Sequence, residues 1–139
     1  MSHQRFRTGT TKGGPMLPDL DFQASQAVRA GNLVFLVGLT GFDRDTSEFI
    51  GKGDPAAQAE KAMENAKVLL EEAGAKLEDI CKITPYVTER EYRKDVYPVI
   101  AKHLQGVRPV STGIVVKGLA ETYIDFEIDI FAVIPEDRE

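Results

Sequence analysis

The stretch "TYIDFEIDIFAVI", residues 122–134, alternates between apolar side chains and polar or aromatic ones. Successive side chains of a strand point to opposite faces, so Ile124, Phe126, Ile128, Ile130 and Ala132 line one side while Tyr123, Asp125, Glu127, Asp129 and Phe131 line the other. The wholly apolar side needs a layer of helices. The preceding "VSTGIVVK" (110–117) sets Val110, Thr112, Ile114 and Val116 against Ser111, Gly113, Val115 and Lys117. Read as an antiparallel hairpin closed over 118–122, with the apolar sets on one side as register demands, the two strands pair Val115 with Asp125, Gly113 with Glu127 and Ser111 with Asp129. A shorter loop keeps the faces and shifts these partners.

Two helices are at hand to cover the apolar side. In "DPAAQAEKAMENAKVLLEEAG" (54–74), Asp54 suits the cap, Pro55 the first turn and Gly74 a left-handed stop. Ala59, Met63, Ala66, Leu70 and Ala73 recur there at helical spacing. "REYRKDVYPVIAKHL" (90–104) reads as the second, with Tyr92, Val96, Val99, Ile100 and His103 along one side and Pro98 as a kink or a fresh first turn. "ASQAVRA" and "LVFLVGL" form a hairpin at Gly31-Asn32, "GFDRDTSEFIGKG" a polar loop, and "ICKITPYVT" a strand whose Pro85 points to an edge or a bulge. Residues 1–20 read as an irregular segment with a short edge strand around "RFR", and residues 21–135 as one domain.

Bulk properties narrow the function. With 139 residues, 42% apolar and 28% charged, the chain suits one folded domain. A net charge of −5 argues against nucleic acid as a partner, since such surfaces carry a basic stripe. No apolar run reaches the roughly 18 residues of a membrane span and the amino terminus has no signal-peptide core, so the expectation is a cytoplasmic protein without a membrane partner. Cys81, the single cysteine, reads as a small core residue. Without HxxxH or CxxC, no metal site is expected.

The polar side of the 122–134 strand is the candidate site. Its carboxylates recur about 6 to 7 Å apart, where neighbours repel by about 0.6 kcal/mol in water and about 2.5 kcal/mol at an effective dielectric near 20. Glu127, in the middle, feels this most, and facing a glycine it is a candidate general base or water anchor. "LVFLVGL" is apolar in both directions, the mark of a strand buried on two faces. The chain has nothing more to cover that second face. It is therefore expected to pack against further copies of itself, with the polar strip bordering a cleft.

With these pieces placed, the sequence resembles the RidA (YjgF/YER057c/UK114) family from about residue 20 to 134, through "SQAVRAGNLVFLVG", "DPAAQAEKAMENAKVLLEEAGAKLEDICKIT", Arg108-Pro109 and "DFEIDIFAV". The resemblance implies an α+β, chorismate-mutase-like (YjgF-like) fold, a mixed sheet with two helices packed on one face. It also implies a homotrimer with ligand clefts between subunits, and hydrolysis of reactive enamines and imines to ammonia and a 2-keto acid without any cofactor. The family glutamate that orients water matches Glu127, and the main-chain carbonyl that helps hold it belongs to Gly113. Other pocket positions depart. The carboxylate-binding arginine is Ser111, the aromatic residue before "SQAV" is Ala24, the serine before the strand glycine is Val37, and the asparagine of the second helix aligns near Tyr97. A hydroxyl cannot replace a bidentate, charge-assisted contact, so Arg108 and Lys117 are candidate replacements. Two readings stand side by side, a cofactor-free deaminase-type hydrolase and a small-molecule binding or regulatory protein that uses the same cleft without turnover. A ribonuclease reading, attached to parts of the family, is the weakest for so acidic a chain.

Overall fold

A computed structural model describes residues 2–13 and 16–138. Along the described residues run β1 (Gln4–Phe6), β2 (Gly9–Gly13), β3 (Leu17–Ala24), β4 (Ala27–Ala30), β5 (Leu33–Leu36), α1 (Pro55–Glu72), β6 (Ile80–Val87), α2 (Arg93–His103), β7 (Val110–Ser111), β8 (Ile114–Val115) and β9 (Phe126–Val133). The large sheet has the order β1-β4-β5-β9-β6-β7, with β8 also paired to β6. It is mixed: β7 and β8 run parallel to β6, and the other pairs are antiparallel. This is the expected α+β architecture.

The alternation of β9 explains its central place. Phe126, Ile128, Ile130 and Ala132 are fully buried, with Ile124 nearly so. Against them lies α1, capped by Asp54, whose carboxylate accepts from the Ala57 amide at 3.2 Å. Ala59, Met63, Ala66, Leu70 and Ala73 are all buried, as their spacing predicts. From α2, Val96 and Ile100 enter the core, while His103 turns to Glu60 of α1, 2.6 Å away. Pro98 stays inside α2 on its exposed side, where the Lys94 carbonyl that lacks its amide donor is not forced into a dry interior.

The hairpin of "VSTGIVVK" with the last strand does not form. β9 pairs with β5 and β6, and β7 and β8 lie beyond β6. The intervening α2 explains this, since a helix between two strands is the connection that parallel pairing needs. Both positions of β7 and of β8 are exposed, which fits them for an edge. The true partner of Glu127 is Tyr86, and that of Asp129 is Thr84. Pro85 is neither on an edge strand nor at a bulge. Its partner Ile128 exchanges both main-chain hydrogen bonds with Leu39, so the proline nitrogen faces the other way, into the break between β7 and β8. The bulge in this strand falls at Cys81 instead, and it turns that side chain out: Cys81 is exposed, not a core residue.

The short edge strand expected around "RFR" is β1, which joins the sheet edge. The rest of the N-terminal segment departs from the irregular chain expected over 1–20: β2 and β3 form a separate two-stranded ribbon, Gly9 opposite Ala24 through Lys12 opposite Asp21. Cross-strand pairing needs no core, and the Lys12–Asp21 ion pair sits directly across the ribbon. Leu17, Leu20 and Phe22 of β3 remain exposed. Gly31, at φ +63°, opens the two-residue turn joining β4 to β5. Among the described residues no helix is long and apolar enough to cross a membrane.

Candidate functional site on the open sheet face

Helices cover one face of the sheet, and the other is open. Cross-strand pairs set Leu33 beside Val133 and Phe35 beside Phe131 on that open face, the two rings meeting edge to face at 5.5 Å. All four side chains are exposed. Further along the same face lie Glu127, Asp129, Tyr86 and Thr84. An apolar patch thus runs into a polar strip.

The three carboxylates of that strip have different fates. Asp125 accepts from the Gln58 amide at 3.1 Å, and Asp129 accepts from the Tyr86 hydroxyl at 3.1 Å. That hydrogen bond, with burial and the charges of Asp129 and Glu127, raises the Tyr86 phenol above its ordinary value. Among the described residues Glu127 makes no side-chain hydrogen bond. Burial first, and the charge of Asp129 second, push its carboxyl up, against the pull of Arg44. A carboxyl raised in this way holds its proton more tightly than an exposed one, which suits acid–base work.

A glycine does face Glu127, but it is Gly38. A Cβ there would run into the glutamate carboxylate, with its Cδ at 3.0 Å and Cγ at 3.4 Å. Only a residue without a side chain lets Glu127 lie across the backbone at this point. Gly113, the expected partner, lies instead beside Tyr97: a Cβ at 113 would run into the Tyr97 hydroxyl and come within 3.4 Å of the ring carbon that bears it. Arg93 stands over the Tyr97 ring at 5.4 Å.

The structure therefore divides the sequence-derived residues into two groups. Ala24 and Val37 line a cavity of about 170 Å³ together with Ser25, Gln26 and Arg44. Gly113 and Tyr97 meet at the opposite edge of the sheet, beside Ser111 on β7. Ser111 pairs with Ile83, itself level with buried Ile130, so its side chain belongs to the helix-bearing face and not to the face of Glu127. Three residues along β6, about 10 Å, separate the levels of Ser111 and Glu127. Arg108, at φ +61°, and Lys117 are exposed, and neither is brought to Glu127.

Sequence reasoning missed Arg44, because it lies in the polar loop 41–53, where no periodicity ranks one residue above another. The loop is nonetheless held firmly. Asn65 of α1 donates to the Phe42 carbonyl at 2.8 Å. Asp43 accepts from the amides of Asp45 and Thr46 at 2.9 and 3.1 Å and pairs with Lys61 at 3.2 Å, which brings its carboxyl down to about 2. The next residue, Arg44, is thereby aimed toward the cavity. Burial, and then Arg7, lower its guanidinium from the ordinary arginine value, while Glu127 raises it. Among the described residues no three His, Cys, Asp or Glu side chains gather as a metal would require.

Over residues 21–134 the chain matches the family model described as Endoribonuclease L-PSP. It is 34% identical over 95 residues to a RutC family protein of Pyrococcus abyssi, covering 68% of this chain and 74% of that one. It is 27% identical over 120 residues to a 2-iminobutanoate/2-iminopropanoate deaminase of Dermatophagoides farinae, covering 86% and 91%. Among solved structures, RidA from the Antarctic bacterium Psychrobacter superposes with a TM-score of 0.76 at 28% identity, covering 96% of this chain and 99% of that one.

Proposed function

Because this chain belongs to the Endoribonuclease L-PSP family, the RidA (YjgF/YER057c/UK114) proteins, we propose that it hydrolyses a small enamine or imine at Glu127, in a cleft finished by neighbouring copies. The carrying observation is Glu127 itself: half-buried on the open face, laid over Gly38, free of side-chain partners and raised in pKa. A carboxylate so placed takes a proton from water as the water oxygen adds to the C=N carbon. The proton returned to nitrogen lets the C–N bond break, releasing ammonia and leaving a carbonyl. No cofactor is needed for that balance.

The exposed patch of Leu33, Phe35, Phe131 and Val133 supports the assembly. Contiguous apolar surface beside a polar strip is what a copy-to-copy contact covers. In such an assembly the Ser111, Gly113 and Tyr97 edge of one copy meets the Glu127 face of the next, which joins the two groups that a single chain holds apart. Glu127→Gln tests the reading: ammonia release from an accepted imine should fall at least a hundredfold with the fold intact, and unchanged release rejects it. Ser111 favours a second reading, binding without turnover, because no arginine fork stands at that position. A ligand that binds tightly and is recovered unaltered would decide for it.

A further inference from the structure

We propose that Arg44 is the anion-binding residue of this site, its guanidinium receiving the carboxylate of a small ligand. Resting on the reading of the Glu127 face as a small-molecule site, this inference adds a residue that no family motif supplies. The receiving space is the cavity of about 170 Å³ lined by Arg44, Ala24, Ser25, Gln26 and Val37, room for a small molecule.

The charge is the stronger observation. Arg7 touches the same cavity but is neutralised, gripping Glu72 at 3.1 and 2.7 Å and reaching Asp45 at 3.4 Å. Lys61 is paired with Asp43. Arg44 has no counter-ion within 4 Å among the described residues, and its Nε is buried without a hydrogen-bond partner. An unpartnered guanidinium N–H is costly to bury and unusual in a finished interior. A carboxylate beside the guanidinium supplies the missing charge and accepts from its two terminal nitrogens, which are not buried, the kind of contact for which arginine is best suited. Val37 of the cavity wall adjoins Gly38, over which Glu127 lies, so an anion held at Arg44 directs the rest of the ligand toward Glu127. The cation that Ser111 lacks is thus supplied from a loop on the other side of the sheet.

Propanoate and propanamide, alike in shape and different in charge, test this in titrations of the full chain followed by calorimetry and by the arginine Nε–H resonances. Propanoate should bind at least tenfold more tightly than propanamide and shift the Arg44 Nε–H signal. Arg44→Met should lose at least tenfold in propanoate affinity with propanamide unaffected, and Glu127→Gln should keep propanoate binding. Equal affinities for the two probes, no binding of propanoate, or a folded Arg44→Met with unchanged affinity overturns the assignment. Should Arg44→Met fail to fold, a wild-type Arg44 signal that propanoate leaves in place overturns it equally. Failure of the hydrolase reading shows differently, as undiminished ammonia release by Glu127→Gln alongside an intact preference for propanoate.

Discussion

At the scale of single residues, the unusual feature is a carboxyl that the fold prefers protonated. The Glu127 pKa is raised in the native state, so its contribution to stability is full below the ordinary value of 4.5 and is lost as pH rises through the folded value. Glu127→Gln should therefore melt higher than wild type at pH 7 and level with it at pH 4, in thermal unfolding followed by circular dichroism. If Glu127 is the base, turnover by wild type moves oppositely, rising with pH through that same raised value. Gly38→Ala pushes on the tip of a flexible side chain, so a stability loss of no more than about 1 kcal/mol is expected, together with a displaced Glu127 and at least a tenfold loss of turnover. Glu127 was legible in the sequence because alternation singles out a carboxylate with carboxylate neighbours. Its facing glycine was not, because a strand pattern says which residues share a face and is silent about which strand comes next.

At the scale of elements, the last strand is held at its entry by one buried amide. Gln58, fully buried on α1, donates to the carbonyls of Gly51 and Tyr123 at 2.9 and 3.2 Å and to the Asp125 carboxylate at 3.1 Å, and accepts from the Asp125 amide at 2.9 Å. Gln58→Leu keeps the volume and strands these partners, so a loss of about 2 to 4 kcal/mol is expected in urea unfolding. Asp54→Ala, which removes a single capping bond, should cost about 1 kcal/mol. Helices were the most readable elements: the caps, the stop at Gly74 and the five apolar positions of α1 all stand where the spacing put them. Strand order was the least readable. Periodicity gave β9 its two faces correctly, yet its neighbours depend on β6 slipping between it and β7, a matter of tertiary packing. Gln58 escaped notice because a glutamine within a helix repeat looks solvated until the chain returns at 123–125 to cover it.

For the whole molecule, the decisive feature is a sheet with one finished face. Burying a phenylalanine contributes about 1.5 to 3 kcal/mol, and Phe35 and Phe131 meet edge to face in the open patch. Phe131→Glu should raise the concentration at which copies associate by at least tenfold in sedimentation, and a variant that assembles as wild type does would exclude this face from the contact. The two-sided apolar reading of "LVFLVGL" anticipated the patch, whereas the β2–β3 ribbon carried too little apolar periodicity to be foreseen. Pro85 has a consequence for what any assembly can offer a guest. Thr112 donates to the Ile83 carbonyl at 3.2 Å, and the same ladder one step further would bring an amide of residue 85 to the Thr112 carbonyl. Proline has none to bring, so β7 and β8 stay unzipped and a short length of main chain around Gly113 is left unclaimed by the ladder. On the proposed reading, this stretch of main chain can hold a water molecule or a polar guest whatever side chain stands at 111, for as long as residue 85 is a proline.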